Sequence, residues 1–262
     1  MPELDLAKQA FAFLEIQTTG LSPWFGDRIC EIDLLRTEGR RIKKTWRTLL
    51  NPQMRLSPAA ALSLRAEELS TAPLFGDCAD ELESLLEGAI LVCHNAQFKL
   101  QFLDDEFHRL GCEFHHSNLI DLLFVARQHF DFPSYGLTNM AIQFKIPHPQ
   151  ADALTAKNLF FAMLQALRPL DKSLDDFVGV YNSPAWPQDG FSLPTELGEA
   201  IYGGKRLTLV YIDKDGEQTQ RSVTPLQVLG LADYLYLRAF CHLRQGERTF
   251  RLDRILQLQV ES

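Results

Sequence analysis

Phe13-Leu14-Glu15-Ile16-Gln17-Thr18-Thr19-Gly20-Leu21 is the stretch on which the fold turns. It closes an apolar run over residues 10–16 that has the length and composition of a buried strand. About 75 residues on, His94-Asn95-Ala96-Gln97-Phe98-Lys99-Leu100-Gln101-Phe102-Leu103 follows a second short apolar run, residues 89–93. There Phe98, Phe102, Leu103, Phe107 and Leu110 recur at helical spacing, and Gly111 ends the helix. Each polar stretch therefore begins where a buried strand ends.

The rest of the chain fits around these two stretches. Residues 28–35 and 41–50 read as strands, with Gly39 and Asn51-Pro52 as turns. From Ser57 the character becomes helical. Pro73 opens a helix whose face is Leu74, Cys78, Leu82, Leu85 and Leu86. Residues 119–129, 137–144 and 152–168 are further helices. Three strands followed by helices around a fourth predict a mixed α/β domain over residues 1–170. Residues 171–194, with Pro184, Pro187 and Pro194, read as a linker with one short helix at 173–181. Residues 195–262 then turn β. Leu207–Ile212 meets the Asp213-Lys214-Asp215-Gly216 hairpin signal, and Tyr234–Phe240 and Thr249–Leu252 complete a small module.

Composition sets outer bounds. With 46% apolar and 23% charged residues the chain is of the ordinary globular kind. No apolar run approaches the roughly 20 residues that span a bilayer, and no secretory signal is visible, so a cytoplasmic protein without membrane contact is expected. Cys30, Cys78, Cys93, Cys112 and Cys241 are odd in number and form no C-x-x-C pair. They read as reduced thiols, not as a zinc site. Residues 195–262 carry nine basic and nine acidic groups, so the whole net charge of −8 falls on the first 194 residues. Phosphate affinity rests on cations, so that acidic region is a poor generic nucleic-acid binder.

Both quoted stretches resemble the DEDD family of 3′–5′ exonucleases, the DnaQ-like and RNase T group. Active members read D-x-E-T-T-G and H-N-A-x-F-D-x-x-F-L. The resemblance covers residues 8–168 and implies an RNase H-like exonuclease fold. In that family four acids hold two metal ions, and a His before the last acid is the general base. Carried over residue by residue, the first acid is Glu15, the second is the neutral Gln17 and the third is the cation Lys99. The last motif corresponds to His148 and Asp152. Their spacing is one residue short, and aligning on Thr155-Ala156 would instead put Ala151 at the acid. Asp27-Arg28-Ile29, Glu31-Ile32, Pro73, Phe75, Glu106 and Asp121 match family positions outside the metal quartet. Leu62–Arg65 stands where a substrate-end loop is usual.

Two-metal hydrolysis needs several carboxylates converging on ions about 3.5–4 Å apart, and Mg²⁺ draws its affinity from anionic oxygen. Here two anions remain at most, Glu15 and Asp152. A cation at Lys99 adds repulsion where attraction is needed, since even two unit like charges 4 Å apart cost roughly 4 kcal/mol at an effective dielectric of 20. No catalytic residues, metal or cofactor are therefore expected, and Mg²⁺ or Mn²⁺ would matter only if nuclease activity persisted. Lys99 either pairs with Glu15 or Asp152, standing in for a metal's charge, or points to solvent.

Residues 195–262 resemble the WYL domain, a small SH3-like β-barrel. The matching segments are Leu207–Tyr211, Arg221–Leu226, Leu235–Cys241 and Arg248–Ile255, with Leu235 in place of the name-giving Trp. The resemblance implies a ligand-sensing module. Tyr211, Arg221, His242 and Arg248 are then the pocket candidates, with Arg238 and Arg251 next. Guanidinium forks bind phosphate in bidentate fashion, and tyrosine offers a stacking face for a base. The competing reading pairs Arg251 and Arg254 with Asp253 and Glu247. Together the two resemblances imply a non-catalytic regulator that binds single-stranded nucleic acid or a nucleotide. The rivals are a weak metal-dependent 3′–5′ exonuclease and a scaffold for a protein partner.

Overall fold

The computed structural model describes residues 6–54, 56, 66–114, 118–167, 193–231 and 234–261. The expected helix at 173–181, the Leu62–Arg65 loop and nearly all of the 171–194 linker lie outside them.

β1 (Ala10–Thr18) is buried on both faces from Phe11 to Glu15, because it lies at the centre of a five-stranded sheet. It pairs antiparallel with β2 (Ile29–Glu38), which pairs with β3 (Arg41–Leu49). On its other side it pairs in parallel with β4 (Ile90–Cys93), which pairs with β5 (Leu119–Asp121). The edge strand β3 reads Arg-Ile-Lys-Lys-Thr and is largely exposed, which guards a free edge against pairing.

Helices α1 (Ala66–Thr71), α2 (Phe75–Leu86) and α3 (Ala96–Arg109) precede β5. Leu14, Ile32 and Leu34 pack with Leu82 of α2 and Leu100, Phe102 and Phe107 of α3 on one face of the sheet. Phe11, Phe13 and Val92 form the other face. There they meet α4 (Leu122–His129), α5 (Leu137–Gln143) and α6 (Ala153–Leu167). The sequence predicts helix throughout 119–129, and the structure corrects this to a three-residue strand followed by α4. Asp121 makes the break. Its extended backbone ends β5, and its carboxylate caps α4 by accepting the Leu123 N–H at 2.9 Å. So short an apolar run carries no periodicity to separate strand from helix.

The C-terminal unit opens with α7 (Thr195–Gly203) and continues as β6 (Leu207–Ile212), β7 (Gln218–Leu231), β8 (Tyr234–Cys241), β9 (Gly246–Arg251) and β10 (Ile255–Val260). These strands form a separate antiparallel sheet in the order β10-β6-β7-β8-β9. The predicted hairpin is present: Asp213 Oδ1 accepts the N–H groups of Asp215 and Glu217, and Gly216 takes φ +86°. Pro225 sits at a register shift of β7, where a missing N–H is tolerated. Leu235 is buried in the core with Leu197, Leu209, Val223 and Leu237, so leucine fills the place of the family tryptophan.

Candidate functional site

The Thr-Thr-Gly stretch is held by its own loop. Asp27 accepts the Ser22 N–H at 3.0 Å, and a Cβ on Gly20 would stand 2.3 Å from Asp27 Oδ1. Only glycine leaves that carboxylate room. Next to it Arg28 forks onto Glu106 at 2.7 and 2.5 Å, and Glu106 also accepts the Ile29 N–H at 3.2 Å. Glu106 thus ties α3 to the start of β2. Asp121 does the same for the second stretch, accepting the N–H groups of Asn95 and Ala96 at 3.0 Å each. Asp27, Glu106 and Asp121, acids outside the quartet, thus each hold backbone N–H groups in place.

At the carboxyl ends of β1 and β4, Lys99 reaches from the first turn of α3 to Glu15. Its Nζ lies 3.0 Å from Glu15 Oε2 and also donates to the His94 carbonyl. Glu15 Oε1 accepts the His94 N–H at 3.3 Å. Burial pushes the Glu15 carboxyl above its ordinary range, while the Lys99 charge pulls the other way.

Gln17 lies two residues along β1, on the Glu15 face but exposed. Opposite Glu15 stands Asp33 of β2, an acid that motif reading passed over. The Glu31-Ile32-Asp33 alternation carried the signal. Asp33 accepts the Ala153 N–H at the start of α6 at 3.0 Å, and burial raises its carboxyl, with Arg47 opposing. Asp152 caps α6 through the Thr155 N–H at 2.7 Å and adds its field to that of Asp33. His148 is exposed in a left-handed turn at φ +47°.

The resembled enzymes imply a pair of metal ions here, and the residues present do not fit them. Among the described residues no three His, Cys, Asp or Glu side chains are grouped to hold a metal. The one buried acid of the quartet spends its charge on Lys99.

The flank of this site is covered by α7. Asn95, left-handed at φ +55°, donates through Nδ2 to the Leu193 carbonyl at 3.1 Å and to Thr195 Oγ1 at 3.3 Å. The Tyr135 N–H donates to Glu199 Oε1 at 2.7 Å, and Lys205 Nζ donates to the Pro133 carbonyl at 2.8 Å. Tyr135 also accepts, at 2.8 Å, the Nε2 proton of His94. Burial, helped by Lys99, pushes the His94 pKa down to about 3, so this imidazole is neutral and carries its proton on Nε2. Leu21 also packs onto the C-terminal core.

The six C-terminal candidates divide between two faces of their sheet. Tyr211 and Arg221 share the face of Leu209 and Val223, and Arg248, opposite Ala239, shares the face of Phe250. Arg238 and His242 alternate with the buried Leu237, Ala239 and Cys241 and so lie on the other face, joined by Arg251 opposite Tyr236. Several are engaged. Arg251 donates to Asp253 at 3.0 and 2.6 Å and stacks 3.5 Å from the Tyr234 ring centroid. Arg238 pairs with Glu247 at 3.1 Å, and His242 Nε2 shares a 2.8 Å hydrogen bond with Thr224 Oγ1. Arg221 donates to Thr219 at 3.2 Å, and Tyr211 meets Phe250 edge to face.

Residues 16–160 match the family model Exonuclease, and residues 193–260 match that of the WYL domain. The 3'-5' exonuclease DinG of Bacillus subtilis (strain 168) is 30% identical over 172 residues, 62% of this chain and 18% of that protein. The DNA polymerase III subunit epsilon of Rickettsia typhi (strain ATCC VR-144 / Wilmington) is 26% identical over 251 residues, 93% of this chain and 95% of that one. Among solved structures, E. coli exonuclease I in complex with a dT13 oligonucleotide aligns at a TM-score of 0.53 and 16% identity, covering 88% of this chain and 55% of that one. The chain thus spans about a fifth of the Bacillus relative's length.

Proposed function

The chain belongs to the exonuclease family, and we propose that it is a non-catalytic member that senses single-stranded nucleic acid or a nucleotide through its WYL domain. The observation that carries the first half is the Lys99–Glu15 ion pair, which puts a fixed cation where the family draws metal charge. The second half rests on Tyr211, Arg221 and Arg248, which share one sheet face and combine guanidinium forks with an aromatic ring. Exonuclease I, whose fold this chain shares, binds an oligothymidylate, which makes that the natural probe. The exonuclease-like domain serves as a docking platform for the WYL domain, since α7 covers its cleft. The reading places the protein in the cytoplasm, as suits its free buried thiols Cys30, Cys93 and Cys241.

The test is fluorescence anisotropy with a labelled oligothymidylate at several salt concentrations. Affinity falls as salt rises. Arg221→Ala or Arg248→Ala removes a charge-assisted hydrogen bond of roughly 1.5–3 kcal/mol, or about ten- to a hundredfold in Kd. Arg→Lys restores only part, because the fork is lost. Affinity unmoved by both alanines, or no binding of any strand or nucleotide, leaves the protein-scaffold reading in its place.

A further inference from the structure

We propose that α7 is a two-faced latch: it belongs to the WYL core on one side, holds the degenerate exonuclease cleft shut with the other, and is built to release. Leu197, Ala200 and Ile201 fall on one side of the helix at i, i+3 and i+4 and pack into the C-terminal core. Thr195, Glu196 and Glu199 fall on the other side and meet the exonuclease-like domain. Contacts run the length of the helix, from Asn95 at its start, through Tyr135 at Glu199, to Pro133 at Lys205 just past its end. Under this cover His94, Asn95 and Lys99 are all more than nine-tenths buried. With α7 seated, only 5% of Lys99 is exposed.

The seat is poorly compensated, which is why it is a latch and not a permanent interface. Glu199 uses one oxygen on Tyr135, while its buried Oε2 has no hydrogen-bond partner among the described residues. Glu196, one turn before it, is carried into the same contact, close enough to Gly136 that a Cβ there would stand 2.6 Å from Glu196 Oε1. Two carboxylates at i, i+3 repel, and burial away from water, with Glu199 beside it, disfavours the Glu196 charge. Lys99 answers part of that charge, but it is already paired with Glu15. The buried members of each core come from one domain, so releasing α7, and with it the packing of Leu21, opens the cleft without unfolding either. The latch needs no ligand on the WYL sheet and so stands apart from the reading above.

The experiment is amide hydrogen exchange of the full chain by mass spectrometry, read at Tyr135 and Gly136. Gly136 has φ −60°, which any residue adopts, so Gly136→Leu acts as a wedge without backbone strain. It is expected to raise exchange at Tyr135 at least tenfold while β1 and β2 stay protected. Glu196→Gln, which keeps the Tyr135–Glu199 bond and removes a half-buried charge, is expected to slow the same exchange severalfold. If Gly136→Leu exposes β1 and β2 as well, Thr195→Arg supplies the wedge from the other partner. The proposal is overturned if neither wedge moves Tyr135, or if Glu196→Gln speeds exchange as the wedges do, since the glutamates would then hold the contact and not loosen it.

Discussion

The Lys99 ammonium lies 3.0 Å from a Glu15 carboxylate oxygen, and both side chains are more than nine-tenths buried. Such a pair is costly to bury and more costly to break, because removing one partner strands the other charge in a dry site. Lys99→Met is therefore expected to lower unfolding free energy by about 3–5 kcal/mol. Adding Glu15→Gln should recover most of that loss, since it removes the stranded charge. Urea unfolding of the two single variants and the double one measures the coupling. Independent, additive losses would mean that the two charges do not depend on each other.

His94 gives the site a pH signature. Its pKa falls to about 3 in the folded chain against an ordinary 6.5. The unfolded chain therefore binds a proton that the folded chain refuses between those values. Stability from this residue is fully present above pH 6.5 and is lost as pH falls toward 3, at about 1.4 kcal/mol per pH unit. Burial raises the carboxyls of Glu15 and Asp33, which has the opposite sign and blunts the profile. The difference between wild type and His94→Gln isolates the histidine. The variant should gain on wild type steadily from pH 6.5 to 4, and parallel curves would show that His94 is not held neutral.

The fold was largely legible because its signals are local. Apolar runs marked β1, β2 and β4, and periodic leucines and phenylalanines marked α2 and α3. β5 was lost inside a helical reading because three residues carry no period. The site was half legible. Motif spacing aligned Glu15 and Lys99 with two of the family's acids, but Asp33 comes from a partner strand, and register sets it opposite Glu15. Tyr135 and Glu199 were invisible, since their bond joins residues 64 apart across two domains. Nor could a list of basic residues show that alternation puts Arg221 and Arg248 on one face and Arg238, His242 and Arg251 on the other.

That division separates stability from binding among the arginines. Arg251 is held by Asp253 and by the Tyr234 ring, with 22% of its side chain exposed. Arg251→Ala should cost about 1–2 kcal/mol of stability and leave oligothymidylate affinity nearly unchanged. Arg248 is exposed on edge strand β9, so Arg248→Ala should do the reverse. Thermal unfolding paired with anisotropy on the same samples decides it, and a swapped pattern would move the binding face to the Tyr234 side.

Metal is the last discriminator, because it can be read without any substrate. A ligand present at 100 times its Kd stabilises the folded chain by about 2.7 kcal/mol, which a thermal scan resolves. Lys99 pairs with Glu15 and no metal-holding cluster is found among the described residues, so millimolar Mg²⁺ or Mn²⁺ should leave Tm unchanged. Lys99→Asp exchanges the cation for an acid beside Glu15, with Asp33 opposite Glu15. That variant should lose stability without metal, since it gathers like charges, and regain it with Mn²⁺. Nucleotide release from DNA or RNA should be absent in wild type with either ion. Metal-dependent release that disappears in a Glu15→Ala, Asp152→Ala double variant would establish an active exonuclease and reverse the reading of Lys99.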